Sequence, residues 1–590
     1  MKLRPGTSPS GFGRTAHALA GRFPATGGQV FVADETTQAA TVERSIRPQA
    51  VALALFALVV ALCALLIVGQ VASRLLLAAS SDNGALAALG MTRTQLLAAS
   101  LAEVGLAAVP GAAVACGVAV AASPLMPIGP ARLAEPDPGV SVNGVVLAAG
   151  FAAIVVLLLA RVAWPAWRQA SARPAAEHDP AGGRRSRAAE WLAGSGAPVT
   201  AVTGVRLALD PGRGRTAVPV RAAFLGTALA VAVAAVAAAV TFGANLLHLV
   251  NTPRLYGQEW DIAVDTQFNA ITPQQFDRLV GHLPGVADWT FGVHGTVTIG
   301  STVVPAIGLA PGRGPMTAPT LLTGRAPQSD QEIVLGSSVL RMLGLRVGQS
   351  VPVTVSGHRQ VVRIVGRAVF PFFGQGSFTP TDVGYGAEGT AALFEPQAGA
   401  AAGASGYNFV LGRFTAGTSP AASLAGFERA MSRFCATVGQ TTCIVTDQRP
   451  NAVANYALIE GTPEVLAGIL AVLGLAVLGQ FIVASARRRR RDFAIMKVLG
   501  LVRRQLSAVT VWQVTTLTGL ALLVGLPLGV AGGHWAWALF ARNVGLSTAA
   551  ITPMSLLWTI PVTIAAANIV ALRPGQAVAR LRPAAVLRAE

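Results

Sequence analysis

Charged residues are scarce in this sequence. Asp, Glu, Lys and Arg make up 12% of its 590 residues, whereas 53% are hydrophobic and the mean hydropathy is +0.56. A soluble protein is usually about one quarter charged. This shortage of charged residues predicts that part of the chain lies in lipid and not in water. The high apolar content excludes intrinsic disorder.

Lysine is almost absent, which excludes a common ATP-binding motif. Only Lys2 and Lys497 are present, and neither follows glycine, so the sequence has no Walker A loop. The histidines show no His-Glu-x-x-His spacing and the four cysteines form no Cys-x-x-Cys pair. We therefore predict no catalytic site, no metal and no cofactor, and we expect any ATP hydrolysis to come from a partner chain.

Long apolar runs are abundant. A spanning helix needs about 20 apolar residues, and seven stretches qualify, which predicts a polytopic α-helical membrane protein with about seven transmembrane helices. The longest stretches are expected to include loop. The predicted spans are residues 48–73, 96–124, 139–160, 222–249, 465–486, 506–541 and 544–572.

Residues 251–462 have a different character. Polarity alternates in residues 260–264 and 360–369, and turn residues recur, which predicts an α+β domain. Thr272-Pro273-Gln274-Gln275 has an N-cap hydroxyl, a proline at the first helical position and a glutamine in capping-box order. This order predicts a helix start inside the domain.

The basic residues indicate how the chain is oriented. Residues 74–97, 161–221, 485–505 and 571–590 carry most of the net charge of +18, whereas residues 251–462 hold 13 arginines and 13 acidic residues. Basic flanks are retained in the cytoplasm. We therefore expect the C-terminus inside the cell membrane and residues 251–462 outside it, and the charge does not indicate nucleic-acid binding.

The cysteines fit this orientation. Cys63 and Cys116 lie within predicted spans, whereas Cys435 and Cys443 lie eight residues apart in the predicted extracytoplasmic domain. An oxidising compartment permits a disulfide there. The sequence leaves two alternatives open for this pair, which are a disulfide and two buried thiols.

The chain also repeats itself at an offset of 410 residues, which implies two related halves. Each half would contain a span, a short cytoplasmic helix and then two further spans. The matched positions are Gly69-Gln70, Leu89-Gly90, Arg93 and Gln95-Leu96 in the first half, and Gly479-Gln480, Leu499-Gly500, Arg503 and Gln505-Leu506 in the second half.

Residues 487–506 resemble the signature of the FtsX-like permeases, the membrane subunits of MacB-type (type VII) ABC transporters. In that family a basic run, an acidic residue, an apolar stretch, Leu-Gly and a basic pair follow one another, as they do here from Arg487 to Arg504. Residues 322–351 are similar to the extracytoplasmic domain of these permeases, although Gln349 stands where the family usually has Asp.

The resemblance implies that the chain pairs with a second permease chain and binds an ABC ATPase, the nucleotide-binding subunit, through its short cytoplasmic helix. Apolar side chains would enter a groove on the ATPase while arginines set the register. The residues assigned to this ATPase-coupling helix are Asp492, Phe493, Ile495, Met496, Leu499, Gly500 and Arg503, and their equivalents in the first half are Leu86, Leu89, Gly90 and Arg93.

The alternative for this segment is an interfacial helix that lies on anionic headgroups of the lipid bilayer, with the arginine run as a stop-transfer signal. The first half has no basic run and carries Gly84 where the second has Ala494. We therefore expect the first half to hold a partner more weakly.

Glu103 is the single charge well inside a predicted span, and Gln513 is its equivalent in the second half. An intramembrane carboxylate is a functional hypothesis by default. Because Glu103 lies about two turns from the cytoplasmic flank, pairing with a neighbouring helix or snorkelling is favoured over proton relay.

The predicted organisation leaves the first half incomplete. Residues 1–47 contain no apolar segment that could export an N-terminus, and they resemble the tail of a first extracytoplasmic domain, so we expect an amino-terminally shortened or misassigned start. The predicted domains are that remnant (1–47), a first permease repeat with three helices (48–171), a cytoplasmic linker and interfacial elbow (172–218), a fourth transmembrane helix (219–250), a MacB-like α+β domain (251–462) and a second permease repeat with three helices (463–590).

The favoured function is a permease subunit of an ABC transporter in the cell membrane that exports or extracts a hydrophobic or peptide-like substrate. A signal transmitter that regulates an extracytoplasmic cell-wall hydrolase or sensor needs the same parts, so the sequence does not separate the two. An ion-coupled secondary transporter ranks last, because polar residues at the bilayer midplane would be expected in both halves.

Overall fold

A computed structural model gives the fold of the chain. The described residues are 88–126, 139–171, 187–209, 222–266, 270–371 except 356, 383–394, 406–437, 443–445 and 461–579 except 489, together with single positions elsewhere. The predicted first span, the remnant at 1–47 and most of the linker at 172–186 and 210–221 lie outside the described residues, apart from single positions such as Val60 and Gly69.

Six long helices account for the apolar stretches of the described residues. They are α1 (Arg93–Ala122), α2 (Gly144–Ser171), α5 (Ala222–Asn251), α9 (Thr462–Arg488), α11 (Arg503–Val544) and α12 (Leu556–Ala579). Among the described residues, four helices are long and apolar enough to cross a membrane, namely those at 93–125, 144–163, 229–251 and 503–544. The apolar parts of α9 and α12 are shorter, so four of the seven predicted spans have the length and composition of a membrane-crossing helix.

Two expectations about the predicted spans are wrong, one about a loop and one about a boundary. The stretch at 506–541 contains no loop, because α11 is one helix of 42 residues that passes through Pro527. The last span begins at Leu556 and not at 544, because Gly545 adopts a left-handed φ of +89° that ends α11. Glycine tolerates that conformation, so it terminates helices without strain.

Helix α11 is packed most closely against α5. A Cβ atom on Gly529 would lie 2.4 Å from the carbonyl oxygen of Ala234, and one on Gly525 would lie 2.6 Å from that of Ala230. Gly533 continues the series, since its Cβ would lie 2.7 Å from the Cβ of Thr241. Small residues spaced by four bring helix backbones together, and dispersion then holds them in lipid. We call Gly525, Gly529 and Gly533 the glycine seam.

The domain between α5 and α9 is a mixed β-sheet with helices, as predicted. Its strand order is β10-β1-β9-β2-β3-β8-β5-β7-β4, and β6 pairs with β2 and β7. The β3–β8 and β5–β7 pairs are parallel and the other pairs are antiparallel. The strands are β1 (Ile262–Asp265), β2 (Val286–Ile299), β3 (Thr302–Arg313), β4 (Leu321–Gly324), β5 (Glu332–Gly336), β6 (Ser350–Val355), β7 (His358–Ala368), β8 (Ala387–Thr390), β9 (Phe409–Phe414) and β10 (Ile444–Val445).

Three helices belong to this sheet domain, and one begins where the sequence predicts. They are α6 (Pro273–Val280), α7 (Ser337–Leu343) and α8 (Pro420–Thr437). The Thr272 amide donates to the side chain of Gln275, and the Gln275 amide donates to the Thr272 hydroxyl. The predicted capping box is therefore confirmed, and it starts α6 so that Phe276 is buried in the core beside Trp289.

A disulfide joins Cys435, near the end of α8, to Cys443 beside β10. Both sulfur-bearing residues are buried in the core of the sheet domain. The bridge therefore ties the last turn of α8 to the edge strand of the sheet.

We expect Cys443→Ser to lower the free energy of unfolding of the sheet domain by about 2–3 kcal/mol, the chain-entropy value for so short a loop. The free energy of unfolding is measured by urea titration of the detergent-solubilised chain, with limited proteolysis as the readout of unfolding. Reductant should lower the stability of the wild type by a similar amount and leave the variant unchanged. An equal response of both proteins to reductant would show that the bridge contributes nothing.

The C-terminal end of α11 is packed into the base of the sheet domain. Trp537 is fully buried in one cluster with Phe242 of α5 and with Val369 and Val383 of the sheet domain. The guanidinium of Arg341 on α7 donates to the carbonyl oxygen of Asn543 at 2.9 Å. One helix thus runs continuously from the Leu-Gly motif at 499–500 to the sheet domain.

A buried asparagine anchors the loop that follows α11. Asn245 of α5 donates to the carbonyl of Ile551 at 2.9 Å and accepts from its amide at 2.7 Å. The Trp537 indole donates to the carbonyl of Ala549 at 3.1 Å. Because these bonds satisfy buried polar groups, they fix the 545–555 loop against both helices.

Candidate functional site

The Leu-Gly motif folds in the same way in both halves. Gly90 has a φ angle of +95° and Gly500 one of +100°. After each glycine, the next amide donates to the carbonyl five residues earlier, and this closes the turn. These bonds run from Met91 to Leu86 and from Leu501 to Met496, each at 3.1 Å. The repeat found in the sequence is therefore also a repeat in backbone geometry.

The helix that follows each turn begins with the same cap. The amide of Thr92 donates to the side-chain oxygen of Gln95 at 2.9 Å, and the amide of Val502 donates to that of Gln505 at 2.9 Å. A cap satisfies a backbone donor that the helix itself cannot. The glutamines at offset 410 thus fix how each turn enters its long helix.

In the second half, the short helix α10 (Arg490–Val498) carries the predicted coupling residues. Phe493 is only 3% exposed, and it packs in one cluster with Leu506 and Val509 of α11. Met496 is partly buried against the same cluster. This face of α10 is occupied within the chain, so Phe493 is covered by the chain's own residues, and the docking role of the predicted coupling residues stays a prediction.

The opposite side of this segment is apolar and open. Exposed fractions reach 65% at Val498 and 75% at Leu499. Three further coupling residues flank this open side. Asp492 at the start of α10 is half-buried, and Gly500 and Arg503 after the helix are exposed. We call Ile495, Val498, Leu499 and Val502, all of them exposed, the outer face of α10.

The elbow helix is a component of this site whose role the sequence did not predict. Helix α4 (Val199–Leu209) follows the short α3 (Arg187–Gly194), and its Leu207 packs into the Phe493 cluster. A Cβ on Gly204 would lie 2.5 Å from the Cβ of Trp512, so α4 and α11 touch backbone to backbone there. The sequence predicted an interfacial elbow within residues 172–218, but only the fold shows that this helix packs against α10.

The first half presents a smaller surface. Leu89 is 83% exposed and Leu86 is partly buried, while Gly90 and Arg93 are exposed. These described positions offer one protruding leucine where the second half offers four apolar side chains. The expected weaker contact of the first half with a partner stays a prediction.

Glu103 and Gln513 occupy equivalent positions in α1 and α11 but differ in environment. Gln513 is 5% exposed, and its backbone lies under Gly204 of α4. Glu103 is exposed on the surface of α1. The two predicted polar sites are therefore not brought together, and Glu103 lacks the cover that Gln513 has.

In the sheet domain, Gly324 and Arg325 form a tight corner at the end of β4. A Cβ on Gly324 would lie 2.2 Å from the carbonyl oxygen of Val365, so this tight crossing requires glycine. The Arg325 guanidinium donates to both carboxylate oxygens of Glu332 and, with the amide of Gln328, lowers the pKa of that carboxyl to about 2. This corner is thus a structural element and has no catalytic arrangement.

Across the described residues, no group of three or more His, Cys, Asp or Glu side chains could hold a metal ion. Among the described residues, the site is an exposed apolar surface. An apolar helix bundle, a β-sheet domain inserted before its last three long helices, and a Leu-Gly turn found twice define a membrane protein built from two related halves.

The family comparison gives the same division. The family model of the FtsX-like permease C-terminal domain matches residues 54–174 and 464–583. The chain therefore carries two copies of the characteristic domain of the FtsX-like permeases. No curated protein matches the chain.

Two solved structures are similar to part of the chain. The periplasmic region of MacB from Actinobacillus actinomycetemcomitans is 9% identical, covers 34% of this chain and 94% of its own, and gives a TM-score of 0.23. A domain of a permease protein from Porphyromonas gingivalis is 11% identical, covers 32% of this chain and 90% of its own, and gives a TM-score of 0.21.

Proposed function

We propose that the protein is the membrane permease subunit of an ABC transporter, and that an ATPase on a separate chain drives it. The observation that carries this proposal is the outer face of α10, which consists of four exposed apolar side chains on this helix and on the turn that follows it, with Phe493 packed on the other side. A soluble partner with an apolar groove would bury them, at about 25 cal/mol for each Å² removed from water.

The site is built to pass force on. Phe493 ties α10 to the first turns of α11, and α11 continues for about 63 Å at 1.5 Å per residue. Its far end is packed into the sheet domain through Trp537. A displacement of α10 would therefore reach the sheet domain along one continuous helix, α11.

Exposed tryptophans support the placement in the bilayer. Trp512 and Trp535 of α11 are both exposed and stand 23 residues apart, which is about 35 Å along a helix. Tryptophan is enriched at the two membrane–water interfaces, which are about 30 Å apart across the hydrocarbon core. We infer that α10 and the C-terminus are cytoplasmic, that the sheet domain is extracytoplasmic and that the chain resides in the cell membrane.

We expect Leu499→Arg to remove the ATPase from the purified protein. The substitution places a charge in the middle of the apolar contact, where it must be desolvated without a partner. The measurement is ATP hydrolysis that co-purifies with the full-length chain extracted from its native membrane in mild detergent. The expected loss is about tenfold or more, equivalent to at least about 1.4 kcal/mol of binding.

Two controls separate docking from folding. Val361→Arg makes the same change at an exposed site of the sheet domain and should retain the ATPase. Leu89→Arg tests the first half and should reduce the activity less than Leu499→Arg does. Full ATPase recovery with Leu499→Arg would refute the docking role, and retained ATPase without substrate movement would favour the signal transmitter.

A further inference from the structure

The sheet domain contains a pocket where β9 leads into α8. Its volume is 460 Å³, within the range of about 300–1,000 Å³ that small-molecule sites occupy. It is lined by Asp261, which precedes β1, and by side chains between Phe414 and Leu424. The pocket is separate in sequence from α10 and from both Leu-Gly turns, so the surface described above does not account for it.

The walls of this pocket are held in place by the fold of the domain. Phe414 and Leu424 pack against its large core cluster. The Thr415 amide donates to the carbonyl of Gly285 at 3.0 Å. A Cβ on Gly285 would lie 2.5 Å from the Ser423 hydroxyl, so the start of α8 rests directly on this loop. A preformed wall lowers the entropy cost of binding a ligand.

The polar side chains of the pocket present hydrogen-bond acceptors. The Thr415 hydroxyl donates its proton to the carbonyl of Pro284 at 3.3 Å, and the Thr418 hydroxyl donates to the carbonyl of Thr415 at 2.7 Å. Because these protons are used within the chain, both hydroxyls offer lone pairs, and the Asp261 carboxylate has acceptors alone. A ligand that meets these side chains must therefore supply the donors.

Asp261 gives the pocket a negative charge. Its Oδ2 atom accepts the amide hydrogen of Phe414 at 2.8 Å, which fixes the side chain and leaves the second oxygen for a ligand. In the part of the chain that the structure describes, no arginine or lysine forms an ion pair with Asp261. A charged donor makes a stronger hydrogen bond to a carboxylate than a neutral donor does. An ammonium group is therefore the donor that this carboxylate favours.

The domain has few cations of its own that could reach this carboxylate. Residues 251–462 contain no lysine, and Arg449 is the one arginine among them that lies outside the described residues. Arg449 is thus the competitor within the domain, and replacing it separates the chain's own cation from a ligand.

We propose that this pocket binds a small molecule in which an ammonium group is attached to an apolar body. The ammonium group donates to the open oxygen of Asp261, and the hydroxyl oxygens of Thr415 and Thr418 accept further hydrogens of the ligand. The apolar body lies against Phe414 and Leu424 and is removed from water there. This proposal does not depend on the ATPase contact at α10 or on the side of the membrane on which the domain lies.

Fluorine NMR titration of the full chain in detergent with para-fluorobenzylamine tests the proposal. We expect weak binding to the wild type, and Asp261→Asn should raise the dissociation constant about tenfold, because asparagine still accepts from the Phe414 amide but carries no charge. Asp330→Asn removes an exposed carboxylate of the same domain and should bind like the wild type. Para-fluorobenzyl alcohol has the same ring without the charge and should bind the wild type about tenfold more weakly than the amine.

Filling the pocket gives the second readout. Ala421→Trp places a large side chain in the pocket and should also raise the dissociation constant of the amine about tenfold. Ala422→Trp makes the same change at the next residue of α8, which does not line the pocket, and should leave binding unchanged. Because both alanines are exposed, neither variant should shift the melting temperature of the chain.

Several results would overturn the proposal. They are no binding of the amine to the wild type, equal binding by Asp261→Asn, equal binding of the alcohol, and an equal effect of the two tryptophan variants. Binding of the amine only after Arg449→Gln would overturn it as well, because the chain's own arginine would then occupy the pocket.

Discussion

Gly529→Leu is expected to disrupt the membrane bundle of the second half. A leucine Cβ at this position would lie 2.4 Å from the backbone oxygen of Ala234 and 2.6 Å from the Cβ of Ala237. Neither contact is the end of a flexible side chain, so α5 and α11 would have to separate. Overpacking in a well-fitted core costs about 1–3 kcal/mol, and more where backbone must move, so we expect a loss of about 3 kcal/mol or more.

The measurement is the fraction of full-length chain that remains monodisperse in detergent after heating. Gly532→Leu is the matched control, since it lies on the same helix three residues away and a Cβ there has nothing within 4 Å. The control should melt no lower than the wild type, because its side chain meets no neighbouring atom and leucine favours a helix more than glycine does. If the two variants melted at the same temperature, the glycine seam would not be what holds α5 to α11.

The turn geometry of the site is encoded locally, and the sequence predicts it well. Gly90 and Gly500 must be glycine for a left-handed turn, and Gln95 and Gln505 cap the next helix. Such features depend on neighbours within six residues. The spacing at offset 410 was therefore enough to identify both copies.

The face of α10 that stays exposed is not encoded locally. Phe493, Ile495, Met496 and Leu499 are all apolar, and a helical pattern alone does not say which of them the chain itself covers. The elbow helix α4 decides this, because Leu207 covers the Phe493 side. The contact joins residues almost 300 positions apart, beyond the range of any periodicity.

The length of α11 is also not predictable from the local sequence alone. Pro527 and many glycines suggest a broken helix when they are read alone, since proline removes a backbone donor. In the fold, the glycines are the surface on which α5 rests. Packing between helices has overridden the local preference.

Glu388 of β8 is expected to make the sheet domain less stable as the pH rises. Its carboxyl is fully buried between β3 and β5, with Ile307 and Val334 as register partners, and its Oε2 atom has no hydrogen-bond partner among the described residues. Burial raises the pKa of Glu388 to about 8, from 4.5 for an unperturbed group. The folded state therefore holds a proton that the unfolded chain releases at lower pH.

The direction of the effect follows from this difference. Below about pH 4.5 both states are protonated and the group costs nothing; between about 4.5 and 8 only the unfolded chain ionises, so stability falls. Above about pH 8 the folded carboxyl also ionises and the loss levels off. With about 1.4 kcal/mol for each tenfold change in proton affinity, the total is on the order of 3–5 kcal/mol.

Glu388→Gln keeps the shape of the side chain and removes its titration. Urea unfolding of the full chain, read by proteolysis of the sheet domain between pH 5 and pH 9, should show a slope in the wild type that the variant lacks. The two proteins should be similar near pH 5 and differ most near pH 9, where glutamine is the more stable. Asp330→Asn, at an exposed carboxylate of the same domain, should keep the wild-type slope. A Glu388→Gln protein with that slope would mean that the buried carboxyl is already ionised and paired, since only a proton held by the fold links stability to pH in this direction.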